Sequence, residues 1–380
     1  MKIALIAPLV SPIALPFIGG AQAMVADLAQ GLFHRGHHVT LFAREGSYVP
    51  GVPIEQIPVP ESVCPSDFSV AGQERSVDPG FFAQANLFLE LFLQLRLRQQ
   101  EFDVIHVHAF DWPAFVCSTL IQSVPVMHTI HLPAVSPEIN EALRVLHQQQ
   151  HPLTLVTVSD SCAHSYADYT PFDYVIYNGL DLDAIPFTAQ VADDAPLLFA
   201  GRISPEKGVA EAIEIAHLAG RPLLIAGGIY HRRYYEEQIE PLLQQEQGRV
   251  TYLGHLEHAA LWKLMGQSLG LLFPIAWDEP FGLVLVEAMA TGTPVIAFER
   301  GAVGKLVRHG ETGFLIAPRD CVGAAALVNE LSSLSRTRCR AHVAENFSFV
   351  RTLDAYEHAY GEIVHRGRIT SNKMSGNIKD

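Results

Sequence analysis

Short apolar runs alternate with stretches of helical periodicity along almost the whole chain. Residues 1–7 form the first run, which predicts a buried β-strand. The stretch that follows predicts a helix, because its apolar residues recur at helical spacing, at Ala21, Met24, Val25, Leu28 and Leu32. Gly36 is placed to end this helix, and residues 37–43 predict the next strand.

The same alternation continues to about residue 320 in two halves of similar size. In the first half, further strands are predicted within 102–108, 124–131, 153–160 and 172–179. In the second half, they are predicted within 196–201, 222–228, 249–254, 269–276 and 293–298. Strands that alternate with helices indicate an α/β protein whose parallel sheets are covered on both faces.

The domain boundaries follow from where the pattern pauses. We predict an N-terminal domain over residues 1–180 and a C-terminal domain over 195–345, joined by an Asp-, Ala- and Pro-rich linker at 181–194. A last helix over 346–366 is expected to pack back on the N-terminal domain. The charged residues 367–380 lack apolar periodicity and are expected to be disordered.

One segment of the N-terminal half admits two interpretations. Residues 50–80 are Pro-rich and are predicted to be irregular, and residues 81–98 then form a helix that is apolar almost all round. We interpret this helix as a core element, because a helix lying on a membrane surface would carry a broad cationic face. Contact with a membrane surface is the alternative, which the residues do not indicate.

Composition excludes several classes of protein. With 380 residues, 49% of them apolar and 17% charged, the chain is long enough for two or three well-buried domains. The net charge of −14 argues against non-specific binding of nucleic acid, because such binding needs clustered Lys and Arg. The five cysteines are scattered without a CxxC pair, so we expect neither disulfides nor zinc, and we expect a cytoplasmic protein.

The N-terminus superficially resembles a signal peptide. "AQA" at residues 21–23 looks like a cleavage site, but Pro8, Pro12 and Pro16 interrupt the apolar region before it. We therefore predict a first β-strand there. No apolar run approaches the 18 or so residues that a membrane-spanning helix needs.

Candidate chemistry lies in three loops that follow predicted strands. Ligands of open α/β sheets bind at the carboxyl ends of the strands. The first loop ends in Gly19 and Gly20, which would let backbone N–H groups approach a phosphate, although an ordinary tight turn would also use them. A dinucleotide-binding site is the alternative interpretation. Such a site requires a GxGxxG pattern directly after the strand, whereas this loop is longer and lacks that pattern.

The second loop is "GRISPEKG", residues 201–208. Ser204 and Pro205 predict the N-cap and first position of a helix, with Arg202 and Lys207 on either side. Two cations beside a helix N-terminus form an anion site for two phosphate groups. The alternative is that both side chains face solvent.

The third loop contains two carboxylates, Glu279 and Glu287, separated by seven residues. Pro280 fits a first helical position, so the pattern predicts free N–H groups at Phe281, Gly282 and Leu283. Carboxylates accept hydrogen bonds from the hydroxyls of sugars and ribose. Glu287 has apolar neighbours in "LVLVEAMA", where an unpaired buried charge would be costly.

This third segment resembles the E-x7-E signature of glycosyltransferase family 4. The resemblance covers most of the chain, because further motifs occur in the family's order: "GG" at 19–20, "FDVIHVHAFDW" at 102–112, "VSD" at 158–160, "NGLD" at 178–181, "GRISPEKG" at 201–208 and "GAV…HGETGFLIAP" at 301–318. It implies a GT-B fold, in which two Rossmann-like domains with parallel sheets face an interdomain cleft. The N-terminal domain would bind the acceptor and the C-terminal domain the donor.

The resemblance also implies an activity. It predicts a retaining, metal-independent hexosyltransferase that moves a sugar from a nucleotide-diphosphate sugar, UDP- or GDP-linked, to an acceptor hydroxyl. The sequence does not identify the acceptor, which could be a sugar, a lipid-linked molecule or a small molecule. The nucleotide sugar is a co-substrate, so no cofactor is expected. Alternatives are an epimerase or a phosphorylase of the same fold, or a non-catalytic sugar-binding or partner-binding homologue.

Residue roles follow from the matching positions. Arg202 and Lys207 would hold the diphosphate and stabilise the leaving group, and Glu287 would bind the ribose hydroxyls. Glu279, with the amides of Phe281, Gly282 and Leu283, would hold the transferred sugar. The loop around Gly254 and Leu256 would contact the base.

In the N-terminal half the resemblance implies fewer roles. Gly19 and Gly20 would lie against the phosphate or the acceptor, and His108 would line the sugar site. His131 is a further candidate on the acceptor side, whereas His106, on the opposite face of its strand, is predicted to be a satisfied structural histidine.

Two features of the sequence are less regular. Many relatives have Pro-Glu where this chain has Gly304 and Lys305, which places a cation near the expected donor site or at its rim. "DLD" at 181–183 imitates a DxD metal motif, but it lies in the predicted linker and we attribute it to chance.

Overall fold

The computed structural model describes residues 1–15, 17, 19–59 and 79–376, and it describes residues 79–84 and 368–376 only by their backbone. Most of the stretch predicted to be irregular, Cys64 and the last four residues of the predicted disordered tail lie outside these ranges. The chain forms two compact units, Met1–Ile176 with Leu353–Asp380, and Tyr177–Thr352.

The first unit is built on a seven-stranded sheet with the order β3-β2-β1-β4-β5-β6-β7, in which every pair of neighbours is parallel. Its strands are β1 Lys2–Ile6, β2 His38–Arg44, β3 Ile54–Ile57, β4 Val104–Val107, β5 Val126–Ile130, β6 Leu153–Thr157 and β7 Tyr174–Val175. Its helices are α1 Gly20–His34, α2 Pro79–Arg98, α3 Trp112–Ser118, α4 Pro137–Gln148 and α5 Asp160–Ser165. The order 3-2-1-4-5 is that of a Rossmann fold.

Two predictions for the beginning of this unit are confirmed. Residues 2–6 form the strand β1, which lies between β2 and β4 and is buried from Ile3 onward. Gly36 follows α1 with φ +85°, as expected of a glycine that ends a helix.

The predictions for residues 50–98 had different outcomes. Residues 54–57 form the edge strand β3, so the prediction of irregular structure was wrong there; a partly exposed strand of four residues beside prolines gives little periodic signal. The core prediction for α2 is confirmed, because Phe88, Phe92 and Leu95 are buried in the core of the first unit. The other face of α2 is exposed, including Leu97 at 87%.

The second unit is built on a six-stranded parallel sheet with the order β10-β9-β8-β11-β12-β13. Its strands are β8 Leu197–Ala200, β9 Leu223–Ala226, β10 Val250–Tyr252, β11 Gly270–Phe273, β12 Val295–Phe298 and β13 Gly313–Ile316. Its helices are α6 Val209–Leu218, α7 Arg232–Tyr234, α8 Glu240–Gln245, α9 His258–Gln267, α10 Leu283–Ala290, α11 Val303–Leu306, α12 Cys321–Ala326 and α13 Arg336–Asn346. The two parallel α/β sheets confirm the predicted architecture.

The segment predicted to be a linker is packed on the second unit. The buried Arg336 of α13 donates from Nε to the carbonyl oxygen of Thr188 at 2.8 Å and from a terminal nitrogen to Thr293 Oγ1 at 2.8 Å. Arg340 donates to the carbonyl oxygen of Leu182 at 2.6 Å. Burial lowers the pKa of Arg336 to about 10, but the guanidinium stays charged at neutral pH and its hydrogen bonds hold residues 182–188 in place.

The last helix, α14, runs over Phe349–Gly376 and begins in the second unit. Its residues from Leu353 onward belong to the first unit, where Tyr360 donates to or accepts from His106 Nδ1 at 2.6 Å. The helix begins later and ends later than the one predicted over 346–366, so the prediction of disorder was wrong for residues 367–376, whose backbone is helical. No helix in the described ranges combines the length and the apolar character needed to cross a bilayer.

Candidate functional site

The loops that follow β8 and β11 lie side by side in the second unit. The two strands are neighbours in the sheet, so their carboxyl ends meet at one edge. The backbone N–H of Ala276 donates to the carbonyl oxygen of Glu206 at 2.9 Å, which joins the loops directly. This contact brings together two motifs that are distant in sequence.

Lys207, Trp277 and Glu279 form one hydrogen-bonded cluster at this edge. Lys207 Nζ donates to Glu279 Oε2 at 2.8 Å, and Trp277 Nε1 donates to the same oxygen at 2.9 Å. The ammonium also lies 5.0 Å from the centre of the Trp277 indole, within the range of a cation–π contact. The Lys207 and Glu279 side chains are only 15% and 10% exposed, so the ion pair is largely shielded from water.

The other oxygen of Glu279 is available. Within the described part of the chain, Glu279 Oε1 has no hydrogen-bond partner. The backbone of this residue is held, because Ala302 donates its N–H to the Glu279 carbonyl oxygen at 2.8 Å. A fixed carboxylate with one satisfied and one open oxygen is suited to accept a hydrogen bond from a ligand hydroxyl.

The helix after this cluster begins later than predicted. Gly282, with φ +98° and ψ +58°, is the N-cap of α10, and the first helical residue is Leu283. Pro280 therefore does not occupy a first helical position, and Phe281 lies before the helix instead of in its first turn. The left-handed conformation, which glycine readily adopts, turns the chain before the helix starts.

Arg202 lies at the carboxyl end of β8, as predicted, and is partly exposed. Its guanidinium carbon lies 4.6 Å from the centre of the Tyr230 ring, and a terminal nitrogen lies 3.6 Å from Glu206 Oε1. The residues after it form the 3-10 turn Pro205–Lys207, and α6 starts only at Val209. Ser204 is thus the N-cap and Pro205 the first residue of a helix, as predicted, but that helix is a short 3-10 turn, and the Ser204 hydroxyl donates to Glu206 Oε1 at 2.6 Å instead of capping a backbone N–H.

Glu287 lies in the middle of α10 and faces α9. Trp262 Nε1 of α9 donates to Glu287 Oε1 at 3.2 Å, and the His258 ring lies 5.5 Å from the Trp262 ring. Burial raises the pKa of Glu287, while the nearby His258 and the indole N–H act in the opposite direction. Burial thus disfavours the ionised form, and further hydrogen-bond donors from a ligand would stabilise that form.

Two histidines of the first unit are hydrogen-bonded to each other. His108 directly follows β4, and its Nδ1 lies 2.9 Å from His131 Nε2. Burial lowers the pKa of both rings, that of His131 to about 4, so the pair is neutral at neutral pH. His108 Nε2 is buried without a hydrogen-bond partner among the described residues.

His106 is a satisfied structural histidine, as predicted, but its placement on the face opposite His108 was wrong: residues two positions apart in a strand share a face, and the two ring centres lie 4.0 Å apart. The two ring nitrogens of His106 contact the Tyr360 hydroxyl at 2.6 Å and Thr129 Oγ1 at 2.7 Å. Both polar atoms are therefore satisfied inside the first unit, as expected of a structural histidine.

The remaining predicted residues lie at the start of α1 and in the loop after β10. Gly19 is the N-cap of α1 and Gly20 its first residue. The carbonyl oxygen of Gly254 accepts the N–H of Gly227 at 2.8 Å, which ties the loop after β10 to the loop after β9. Leu256 is partly exposed in the connection from β10 to α9.

Two further side chains were singled out from the sequence. Lys305 is exposed on α11. Asp181 Oδ1 accepts the N–H of Asp183 at 3.1 Å, so the "DLD" segment caps a 3-10 turn. Across the residues that the structure describes, no group of three acidic, histidine or cysteine side chains is arranged to hold a metal ion.

Sequence reasoning missed three aromatic residues of this site. Trp277 and Trp262 each donate to one of the two glutamates, and Tyr230 packs against Arg202. Trp277 lies two positions before Glu279, so proximity in sequence was a usable signal. Trp262 and Tyr230 are contributed by other elements, and no local pattern distinguishes them.

The architecture defines the class of the protein. Its structure is similar to sucrose-phosphate synthase from Thermosynechococcus elongatus, with a TM-score of 0.78 and 19% identity over 96% of this chain and 100% of that one. It is also similar to the HepE protein of Anabaena in complex with UDP and glucose, with a TM-score of 0.72 and 20% identity over 95% of this chain and 100% of that one. The chain has the GT-B fold, with two Rossmann-like domains.

The family follows from the sequence comparisons. The model described as Glycosyltransferase Family 4 matches residues 18–184, and the model described as Glycosyl transferases group 1 matches residues 184–346. The chain belongs to glycosyltransferase family 4.

Two curated relatives illustrate the range of this similarity. A glycogen synthase of Mycobacterium tuberculosis is 34% identical over 254 residues, and the match spans 60% of this chain and about 60% of that protein. A D-inositol 3-phosphate glycosyltransferase of Mycobacterium avium is 28% identical over 421 aligned positions, which cover 94% of this chain and 93% of that protein.

Proposed function

We propose that the chain is a retaining, metal-independent glycosyltransferase that moves a sugar from a nucleotide-diphosphate sugar to an acceptor hydroxyl. The observation that carries the proposal is the hydrogen-bonded pair of Lys207 and Glu279 at the carboxyl ends of β8 and β11, with Arg202 in the same loop as Lys207. It combines two cations suited to a diphosphate with a carboxylate that has one open oxygen for a hydroxyl.

Structural neighbours support a nucleotide-sugar donor. The HepE protein of Anabaena has been solved with UDP and with UDP-glucose. The catalytic domain of starch synthase IV from Arabidopsis thaliana has been solved with ADP and acarbose, and it is similar to this chain with a TM-score of 0.70. We infer that this chain binds a ligand of the same chemical class.

In the proposed reaction, the bond between the anomeric carbon and the phosphate oxygen breaks while the acceptor oxygen bonds to that carbon from the same side. The proton of the acceptor hydroxyl passes to the departing phosphate oxygen, so no protein base is needed. Arg202 and Lys207 stabilise the negative charge that develops on the leaving diphosphate. Lys207 has three donors, so it can contact phosphate while it stays hydrogen-bonded to Glu279.

The remaining roles are distributed over the same edge of the second unit. Glu279 accepts a hydrogen bond from a hydroxyl of the transferred sugar, and Glu287 accepts hydrogen bonds from the ribose hydroxyls. The backbone N–H groups of Phe281, Gly282 and Leu283, before and at the start of α10, are the proposed donors to the phosphate. His108, Gly19 and Gly20 are the proposed contributions of the first unit, where His108 acts as a neutral imidazole.

The proposal is tested by the products of the reaction. UDP-glucose, GDP-mannose, ADP-glucose and dTDP-glucose are incubated with a panel of acceptors, and nucleotide release and the anomeric configuration of the product are measured by NMR. We expect one donor to be consumed and its α-configuration to be kept. An inverted product would contradict retention, and a requirement for inorganic phosphate would indicate a phosphorylase. Loss of the sugar's configuration without an acceptor would indicate an epimerase.

A further inference from the structure

The two glutamates of the site share an unexpected feature, because each accepts a hydrogen bond from an indole. The chain has three tryptophans, and two of them donate these hydrogen bonds. Trp277 Nε1 donates to Glu279 Oε2 at 2.9 Å, and Trp262 Nε1 donates to Glu287 Oε1 at 3.2 Å. The donors come from different elements, the loop after β11 and the helix α9.

In both pairs the indole occupies one carboxylate oxygen and leaves the other open. Neither Glu279 Oε1 nor Glu287 Oε2 has a hydrogen-bond partner in the part of the chain that the structure describes. A carboxylate that is free to rotate would present either oxygen in many directions. A donor fixed on one oxygen restricts the direction in which the second oxygen can accept a hydroxyl.

An indole is well suited to this task. It is a rigid ring with one donor and no acceptor, so its hydrogen bond has a single geometry. Lys207 also contacts Glu279, but an ammonium on a flexible stem is a point charge that imposes little direction. Each ring also has a second contact: the Lys207 ammonium lies 5.0 Å from the centre of the Trp277 ring, and the centre of the His258 ring lies 5.5 Å from that of Trp262.

We propose that Trp277 and Trp262 are positioning residues that determine which hydroxyls the two carboxylates recognise. Trp277 acts through Glu279 and sets selectivity for the transferred sugar. Trp262 acts through Glu287 and sets selectivity for the ribose. The inference rests on the proposed function, because it assigns the sugar to Glu279 and the ribose to Glu287.

The test replaces each tryptophan with phenylalanine, which keeps an aromatic ring and removes the N–H donor. Two ratios are measured for each protein: the kcat/KM for UDP-glucose relative to UDP-galactose, and the Kd of 2′-deoxy-UDP relative to UDP. The ADP or GDP counterparts are used where the wild type prefers those bases. Each variant serves as the control for the other.

We expect a crossed pattern. Trp277→Phe lowers the discrimination between the two sugars about tenfold, which corresponds to about 1.4 kcal/mol, and leaves the deoxyribose ratio unchanged, since a hydrogen bond to a charged group is lost. Trp262→Phe lowers the deoxyribose discrimination by a similar factor and leaves the sugar ratio unchanged. If a tryptophan only filled space, its replacement would change the melting temperature but would not change one of the two ratios and leave the other unchanged.

Other outcomes overturn the inference. If UDP binds and both ratios stay at their wild-type values in both variants, the indoles do not position the carboxylates. If both ratios fall together in both variants, each substitution disturbs the whole site, and neither indole positions one carboxylate specifically. If the wild type binds none of UDP, ADP, GDP and dTDP, the proposed function fails and the inference fails with it. If it binds dTDP alone, the proposed function stands, but the assignment of Trp262 to selectivity for the ribose is overturned.

A second pair of variants separates the N–H from the shape of the ring. Benzothienylalanine at position 277 or 262 preserves the bicyclic ring but lacks the N–H donor, so it is suitable if either phenylalanine variant does not fold. The same crossed pattern is expected. Wild-type ratios in a folded benzothienylalanine protein would overturn the assignment.

Discussion

Replacing Lys207 with alanine is expected to lower kcat by roughly 10²–10³-fold, the loss typical when a donor that stabilises developing charge is removed. In the structure its ammonium is held 2.8 Å from Glu279 Oε2 and against the Trp277 ring, so it is already placed before the donor binds. Preorganised charge of this kind acts on the transition state more than on the ground state. The change is measured by steady-state kinetics at saturating donor.

Two further variants make this prediction specific. Lys263→Ala removes an exposed lysine of α9 that has no role in the proposed site, and its kcat should equal that of the wild type. Glu287→Ala should chiefly weaken donor binding, because Glu287 is assigned to the ribose, which does not change during the reaction. A near-wild-type kcat for Lys207→Ala, or the same kinetic profile in Lys207→Ala and Glu287→Ala, would contradict the assignment.

Replacing Gly208 with alanine is expected to destabilise the second unit by about 3 kcal/mol or more, since strain and steric overlap act together. Gly208 has φ +76° and ψ +37°, and it separates the 3-10 turn that carries Lys207 from α6. A Cβ atom there would overlap with the carbonyl group of Pro274, in the loop that leads to Glu279. We expect the lowest thermal transition to fall by about 6–12 °C.

Gly220 provides a matched control for this prediction. It also has a positive φ, +62°, but a Cβ atom there would meet nothing within 4 Å. Gly220→Ala therefore carries only the conformational cost of a left-handed alanine, on the order of 1–2 kcal/mol. Equal melting temperatures for the two variants would show that the contact with Pro274 does not determine the stability of this loop.

Much of the fold could be predicted from the sequence because both faces of each sheet are covered. Buried parallel strands such as β1 and β11 are continuous apolar runs, which stand out from the helical pattern between them. The edge strand β3 was missed because its residues are partly exposed and flanked by prolines. The linker was predicted as separate, but the arginines of α13 that hold it are more than a hundred residues further along the chain.

The site could be predicted only in part. The rule that ligands bind at the carboxyl ends of strands brought Lys207 and Glu279 into one site, and the structure joins them by a hydrogen bond. The start of α10 could not be placed, because Pro280 is compatible with a first helical position and only the left-handed Gly282 moves the start to Leu283. The contact from Trp262 to Glu287 is tertiary, so no local pattern predicts it.

We propose that the second unit binds a nucleotide-diphosphate sugar through Lys207, Glu279 and Glu287. Calorimetric titration of UDP-glucose, GDP-mannose, ADP-glucose and dTDP-glucose into the wild type and into Glu287→Ala measures this binding. We predict that at least one donor binds the wild type with 1:1 stoichiometry and that Glu287→Ala binds it about tenfold or more weakly. Absence of binding for all four donors to the folded wild type, or equal affinity in the variant, would contradict the claim.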